Sequence, residues 1–162
     1  MKAMPEGKST VYVETSVISY YVARPSGNVI IAGHQHITWQ WWEEAVEKSR
    51  RFISSVVYAE IIEGDPELAQ KRLNAVNGWP ILMPNIQSEY LLEQYLRHKV
   101  LPAKAERDAA HIAIATSYKM NYLATWNCTH IANAYLRDKI DDINRAAGYR
   151  TPVICTPEEL LK

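Results

Sequence analysis

Thr10-Val11-Tyr12-Val13-Glu14-Thr15-Ser16 is the stretch on which the reading of the chain turns. Its first four residues are β-branched or aromatic and make a short strand with apolar side chains on both faces. The run stops abruptly at an acid followed by two hydroxyl residues, so a helix is expected to begin near Thr15. A strand without polar alternation suits a parallel sheet that is covered on both sides.

The same unit recurs along the chain. Residues 52–57 read as a second strand running into a helix at 58–62, and 80–84 as a short third strand between prolines. Residues 122–125 form a fourth strand and 151–155 a fifth. The intervening segments carry helical pattern at 34–50, 66–77, 85–100, 103–119 and from the fourth strand through about 147. Asp65-Pro66-Glu67 has the acid cap and first-position proline of a helix start. Lys48, Arg50 and Arg51 place cations where the unpaired carbonyls of the 34–50 helix would end. Thr156-Pro157-Glu158-Glu159 fits a capping box for a short closing helix. Strands alternating with helices predict a three-layer α/β/α fold around a central, mainly parallel, five-stranded sheet.

The 162 residues suit one domain, 1–162 with its core at about 10–155, and a chain of that length buries roughly 70% of its unfolded surface. Eighteen Lys and Arg balance eighteen Asp and Glu, for a formal net charge of zero. That balance excludes coating of nucleic acid by bulk positive charge, so contact with RNA or DNA would need a local patch or a bound ion. No apolar run is long enough to span a membrane, and the opening residues lack a signal-peptide pattern. Cys128 and Cys155 are too few for a disulfide scaffold. A cytoplasmic protein with no membrane association is expected. Phosphate-binding glycine loops and a serine-hydrolase elbow are missing.

In a parallel sheet of this kind ligands sit beyond the carboxyl ends of the strands. Glu14 stands there after the first strand, Glu60 a few residues past the second, and Thr125 and Asn127 after the fourth. Asp108 opens the alanine-rich helix. Each has an ordinary alternative: Glu14 could cap the first helix, Glu60 could be solvated, Asp108 could favour the positive helix end, and Asn127 could be a turn residue. As a set, carboxylates gathered at one sheet edge repel unless a cation compensates. Mg²⁺ or Mn²⁺ is the natural partner for such oxygens and can activate water for phosphodiester cleavage.

Tyr12-Val13-Glu14-Thr15-Ser16-Val17-Ile18, Ser54-Ser55-Val56-Val57-Tyr58-Ala59-Glu60-Ile61 and Asp108-Ala109-Ala110-His111-Ile112-Ala113-Ile114-Ala115 occur in that order, followed by Leu123-Ala124-Thr125-Trp126-Asn127. This series resembles the PIN domain family, the nuclease fold known from VapC-type toxins of toxin–antitoxin pairs. The resemblance spans residues 10–155. It implies a Mg²⁺- or Mn²⁺-dependent ribonuclease with Glu14, Glu60 and Asp108 as metal ligands and Thr125 and Asn127 as supporting site residues. It further implies an RNA substrate and a small antitoxin protein as partner. The chain departs from the family in two places: Glu14 stands where the family has Asp, and Asn127 where an acid is frequent. One tightly held ion at most is expected, and a catalytically impaired PIN-fold binding or scaffold protein is the alternative reading.

Other residues draw plainer expectations. His34 and His36 read as solvated surface. His111, three residues after Asp108, reads either as a cleft residue or as a packing histidine. Cys128 and His130 make a poor zinc pair. Arg24, Arg50, Arg51, Arg72, Arg97 and Lys99 read mostly as solvated charges. Trp39, Trp41 and Trp42 cover too wide an arc of a helix to share one core, so some are expected inward and some in a homodimer contact.

Overall fold

The computed structural model describes residues 7–162. Strand β1 (Ser9–Val13) lies at the centre of a five-stranded sheet, with β2 (Ser49–Ser54), β3 (Ile81–Leu82), β4 (Tyr122–Ala124) and β5 (Val153–Cys155) in the order β3-β2-β1-β4-β5. Every pairing is parallel. Val11, Tyr12 and Val13 are all buried, which requires cover on both faces of the sheet. Helices α1 (Thr15–Val22), α2 (Val29–Lys48), α3 (Ser55–Ile61), α4 (Pro66–Ala75), α5 (Ile86–Arg97), α6 (Glu106–Ser117) and α7 (Ala134–Ala146) supply it. The α/β class and the five strands therefore stand as read from the sequence.

Boundaries moved where capping groups outweighed propensity. The helix expected at 34–50 starts at Val29, because the Asn28 side chain accepts from the Ile30 and Ile31 N–H groups. It ends at Lys48, and Arg50 and Arg51 belong to β2 instead of a helix terminus. Their charges lie over aromatic rings: Arg51 is 4.6 Å from the Trp79 ring centroid and 5.9 Å from that of Trp42, and Arg50 is 5.4 Å from that of Phe52. Strand β2 pairs Ser49 with Ser9 and Phe52 with Tyr12, so it occupies 49–54 and not 52–57. The Ser54 hydroxyl accepts from the Val57 N–H at 3.2 Å, and this cap takes Val56 and Val57 into α3 despite their β-branching. After β4 the chain forms a loop through 133 before α7, which Asn133 caps.

The aromatic helix divides as its spacing implies. Trp41 and Trp42 are buried, Trp42 stacks on Tyr21 and Trp79, and Trp39 is 36% exposed with its indole N–H donating to the Tyr21 carbonyl. His34 is half-buried and not a plain surface residue. It stacks on Trp126 at 4.1 Å between ring centroids.

Two elements far apart in sequence meet in a buried polar knot. The Tyr95 hydroxyl of α5 donates to Asn144 Oδ1 of α7, and Asn144 Nδ2 donates to Thr151 Oγ1 at 2.8 Å. Tyr95 and Asn144 are each fully buried. Asn144→Leu therefore removes one of the two side-chain partners of the buried Tyr95 hydroxyl, Thr116 being the other, and the partner of Thr151 Oγ1. Urea unfolding is expected to show a loss of about 2–3 kcal/mol.

Candidate functional site

The strand order reverses direction between β1 and β4, since the chain builds β1, β2 and β3 outward before returning to β4 on the other side. The carboxyl ends of that central pair are where ligands bind in sheets of this kind, because the flanking connections leave in opposite directions. Glu14 follows β1 directly and Thr125 follows β4. The Glu14 N–H donates to the Ala124 carbonyl at 3.0 Å, which locks these two chain ends side by side.

Glu14 is 4% exposed and both of its oxygens are engaged differently. Oε2 accepts from the Ser16 N–H at 3.1 Å, from the Ser16 hydroxyl, and from the Thr125 hydroxyl at 2.8 Å. The helix-cap role open to Glu14 is thus real and uses one oxygen. Oε1 lies 4.0 Å from His111 Nε2. Glu60 reaches the same place from α3: its Oε1 accepts from the Thr15 hydroxyl at 2.8 Å and from His111 Nε2 at 2.6 Å.

His111 is wholly buried and projects from α6 into this group. Its Nδ1 shares a 2.7 Å hydrogen bond with the Tyr12 hydroxyl, which is also 2.7 Å from Ser54 Oγ. Burial alone would lower the imidazole pKa. The hydrogen bond to Glu60 and the charges of Glu14, Glu60 and Asp108 outweigh it and hold the value above that of an ordinary histidine. For Glu60 burial works upward, but His111, Thr15 and Arg107 bring its carboxyl below the usual range. Burial pushes the Tyr12 phenol far up, so it remains a neutral hydroxyl.

The Glu14, Glu60 and His111 ligand atoms all lie within 4.8 Å of one another, in the group of this kind found among the described residues. Two carboxylates and an imidazole are donors that suit a divalent cation. Asp108 stands outside that group, one helical turn before His111, and its Oδ2 accepts from His130 Nδ1 at 2.8 Å. Asn127 uses its side-chain oxygen within the loop, accepting from the N–H groups of Thr129 and His130. Its own N–H donates to Thr125 Oγ1 at 2.9 Å. Asn127 therefore shapes the turn that presents His130 to Asp108.

Sequence reasoning did not single out Thr15, Ser16, Tyr12 or Ser54, which orient the three ligand groups. Their signal was the density of hydroxyl residues at strand ends, in Thr15-Ser16 and Ser54-Ser55. His130 was set aside as an incomplete zinc ligand. Its partner is a carboxylate distant in sequence, which no local motif reveals.

Comparison with known proteins adds to this geometry. The solved structure of VapBC2 from Rickettsia felis bound to a DNA fragment from their promoter is similar to this chain, with a TM-score of 0.58 and 16% identity. The match covers 90% of this chain and 96% of that chain. At that identity the likeness shows the fold. No family model matches the sequence, and no curated protein matches it. Among the described residues no helix is long and apolar enough to cross a membrane. Fold and site together define a parallel α/β protein that shares its fold with a chain of that VapBC2 structure and carries an acid–histidine cluster at its topological switch point.

The Glu60–His111 pair ties stability to pH. The raised His111 pKa makes its contribution full below the unfolded value of about 6.5, and lost as pH climbs through the folded value. The lowered Glu60 pKa makes its share full above about 4.3, and lost as pH falls through its folded value. In chelator-treated protein, His111→Leu is expected to cost roughly 3 kcal/mol near pH 5.5. The difference from the native chain should narrow on both sides of that pH, as read by denaturant unfolding across pH 3–9.

Proposed function

We propose that the chain is a metal-dependent nuclease that hydrolyses RNA phosphodiester bonds and acts as the toxin of a toxin–antitoxin pair. The observation that carries this reading is the convergence of Glu14, Glu60 and His111 ligand atoms within 4.8 Å at the switch point of a VapC-like fold. Glu14 and Glu60 would hold the ion, with Asp108, one turn before His111 on α6, as the third acid. When bound, Mg²⁺ or Mn²⁺ supplies an activated water and neutralises charge developing on the phosphoryl oxygens.

The chain's own residues prepare that place. Ser16 and Thr125 hold one Glu14 oxygen, so the other is turned toward Glu60 and His111. Thr15 orients Glu60. Asp108, on the same helix as His111, forms a half-buried carboxylate–imidazole pair with His130. The neutral net charge leaves phosphate attraction to the ion and to local cations.

An antitoxin partner is supported by the neighbour's VapBC2 assembly and by exposed apolar groups. Ile86 and Tyr90, one turn apart on α5, are 81% and 51% exposed. A homodimer through the Trp39 face of α2 belongs to the same proposal, as does a cytoplasmic setting.

The alternative, a PIN-fold scaffold without catalysis, draws on one observation: His111 already neutralises Glu60 from within the protein. Incubating a mixed pool of structured RNAs with purified protein and Mn²⁺ separates the two. The native chain is expected to cut, while Asp108→Asn and Glu60→Gln lose about 100-fold or more in rate. Equal cutting by all three would remove the site from the chemistry. No cutting by a native chain that still binds Mn²⁺ would favour the scaffold.

A further inference from the structure

The third donor of the cluster is a nitrogen, and its surroundings differ from those of a packing histidine. An ordinary buried histidine is satisfied by a backbone carbonyl, a hydroxyl or a single carboxylate. His111 has one nitrogen on a neutral hydroxyl and the other between two carboxylates. We propose that His111 Nε2 is a direct ligand of the divalent ion, making a mixed oxygen–nitrogen site that prefers Mn²⁺ and its transition-metal neighbours over Mg²⁺. This rests on the metal-nuclease reading above and specifies its ion.

Distances support direct ligation. Around an octahedral ion with bonds of about 2.1 Å, adjacent ligand atoms lie about 3.0 Å apart and opposite ones about 4.2 Å. Nε2 is 2.6 Å from Glu60 Oε1, close to the spacing of adjacent ligand atoms, and 4.0 Å from Glu14 Oε1, close to that of opposite ones. An ion taken up by both carboxylates would displace the Nε2 proton, which now faces Glu60, to solvent, and the freed Nε2 lone pair belongs to a set of ligand atoms that all fall within 4.8 Å of one another.

Orientation supports it as well. Histidine ligands are characteristically anchored through the second ring nitrogen, which fixes the ring and aims the first at the metal. His111 Nδ1 is held by the Tyr12 hydroxyl, and Tyr12 by Ser54, whose oxygen is in turn fixed by the Val57 N–H. The ring has no exposed surface and cannot swing away. Each carboxylate is likewise positioned by hydroxyls: Thr15 on Glu60, Ser16 and Thr125 on Glu14. Imidazole nitrogen is a favourable donor to transition-metal ions, whereas Mg²⁺ takes oxygen almost exclusively.

Pulsed EPR of the full chain loaded with Mn²⁺ reads the bond without reference to activity. The native protein is expected to show ¹⁴N coupling to the ion, retained in His130→Ala and lost in His111→Ala. Calorimetric competition should show Mn²⁺ bound at least about tenfold more tightly than Mg²⁺, a ratio that shrinks in His111→Gln. If the His111 variants do not fold, the native spectrum combined with His130→Ala decides. Bound Mn²⁺ without nitrogen coupling would overturn the ligand assignment and leave the nuclease reading standing. Coupling lost in His130→Ala would move the nitrogen to His130 and overturn it too. Failure of the native chain to bind Mn²⁺ at all would remove both.

Discussion

Glu14 carries a carboxylate into an almost fully buried position one residue past the central strand, and much of the site answers to that constraint. A buried charge is tolerated only when hydrogen bonds and opposite charge replace the water it has lost. Three donors from Ser16 and Thr125 converge on one oxygen, and a histidine approaches the other. Those donors come from α1, from the end of β4 and from α6. Satisfying one acid therefore ties α1 to α6 and β4, which lie far along the chain from it.

A hydroxyl network extends outward from that point. The Trp126 N–H donates to Ser16 Oγ at 2.8 Å, and the Trp126 indole donates to Thr38 Oγ1 of α2 at 2.8 Å. Trp126 then stacks against His34, and Tyr20 meets both rings edge-on. On the other side, Ser54 links the end of β2 to Tyr12 and so to His111. The described residues contain no buried side-chain polar atom without a partner, as polar groups clustered in a low-dielectric interior demand. Strain or loss in one member is passed to the ligand groups themselves.

The two sequence departures take on physical meaning in this setting. Glutamate has one methylene more than aspartate, and in residue 14 the extra reach lets one oxygen cap α1 while the other faces the cluster. Asparagine at 127 has no charge to offer an ion, and its oxygen instead ties down two backbone N–H groups of the loop carrying His130. That loop links the site's rim to α6 through the His130–Asp108 pair.

Much of the fold was legible because it depends on local pattern. Apolar runs such as 10–13 and 122–125, capping residues such as Asp65, and the alanine-rich helix before β4 each announce themselves within a few residues. That Glu14 and Thr125 stand at strand ends, and Glu60 and Asp108 on helices, was legible for a related reason, since the pattern implies those elements. What could not be read was register and pairing. Val56 and Val57 favour a strand by side chain, yet a single serine cap made them helical. Arg50 and Arg51 resemble helix-terminal charges, yet strand pairing and aromatic faces claimed them. The sequence by itself determined a parallel α/β sheet with acids at its carboxyl edge, because periodicity and composition act over short distances. Only the tertiary structure decided that His111 joins Glu14 and Glu60 while Asp108 turns to His130, because those contacts span 22 to 97 residues and depend on how buried charges are satisfied.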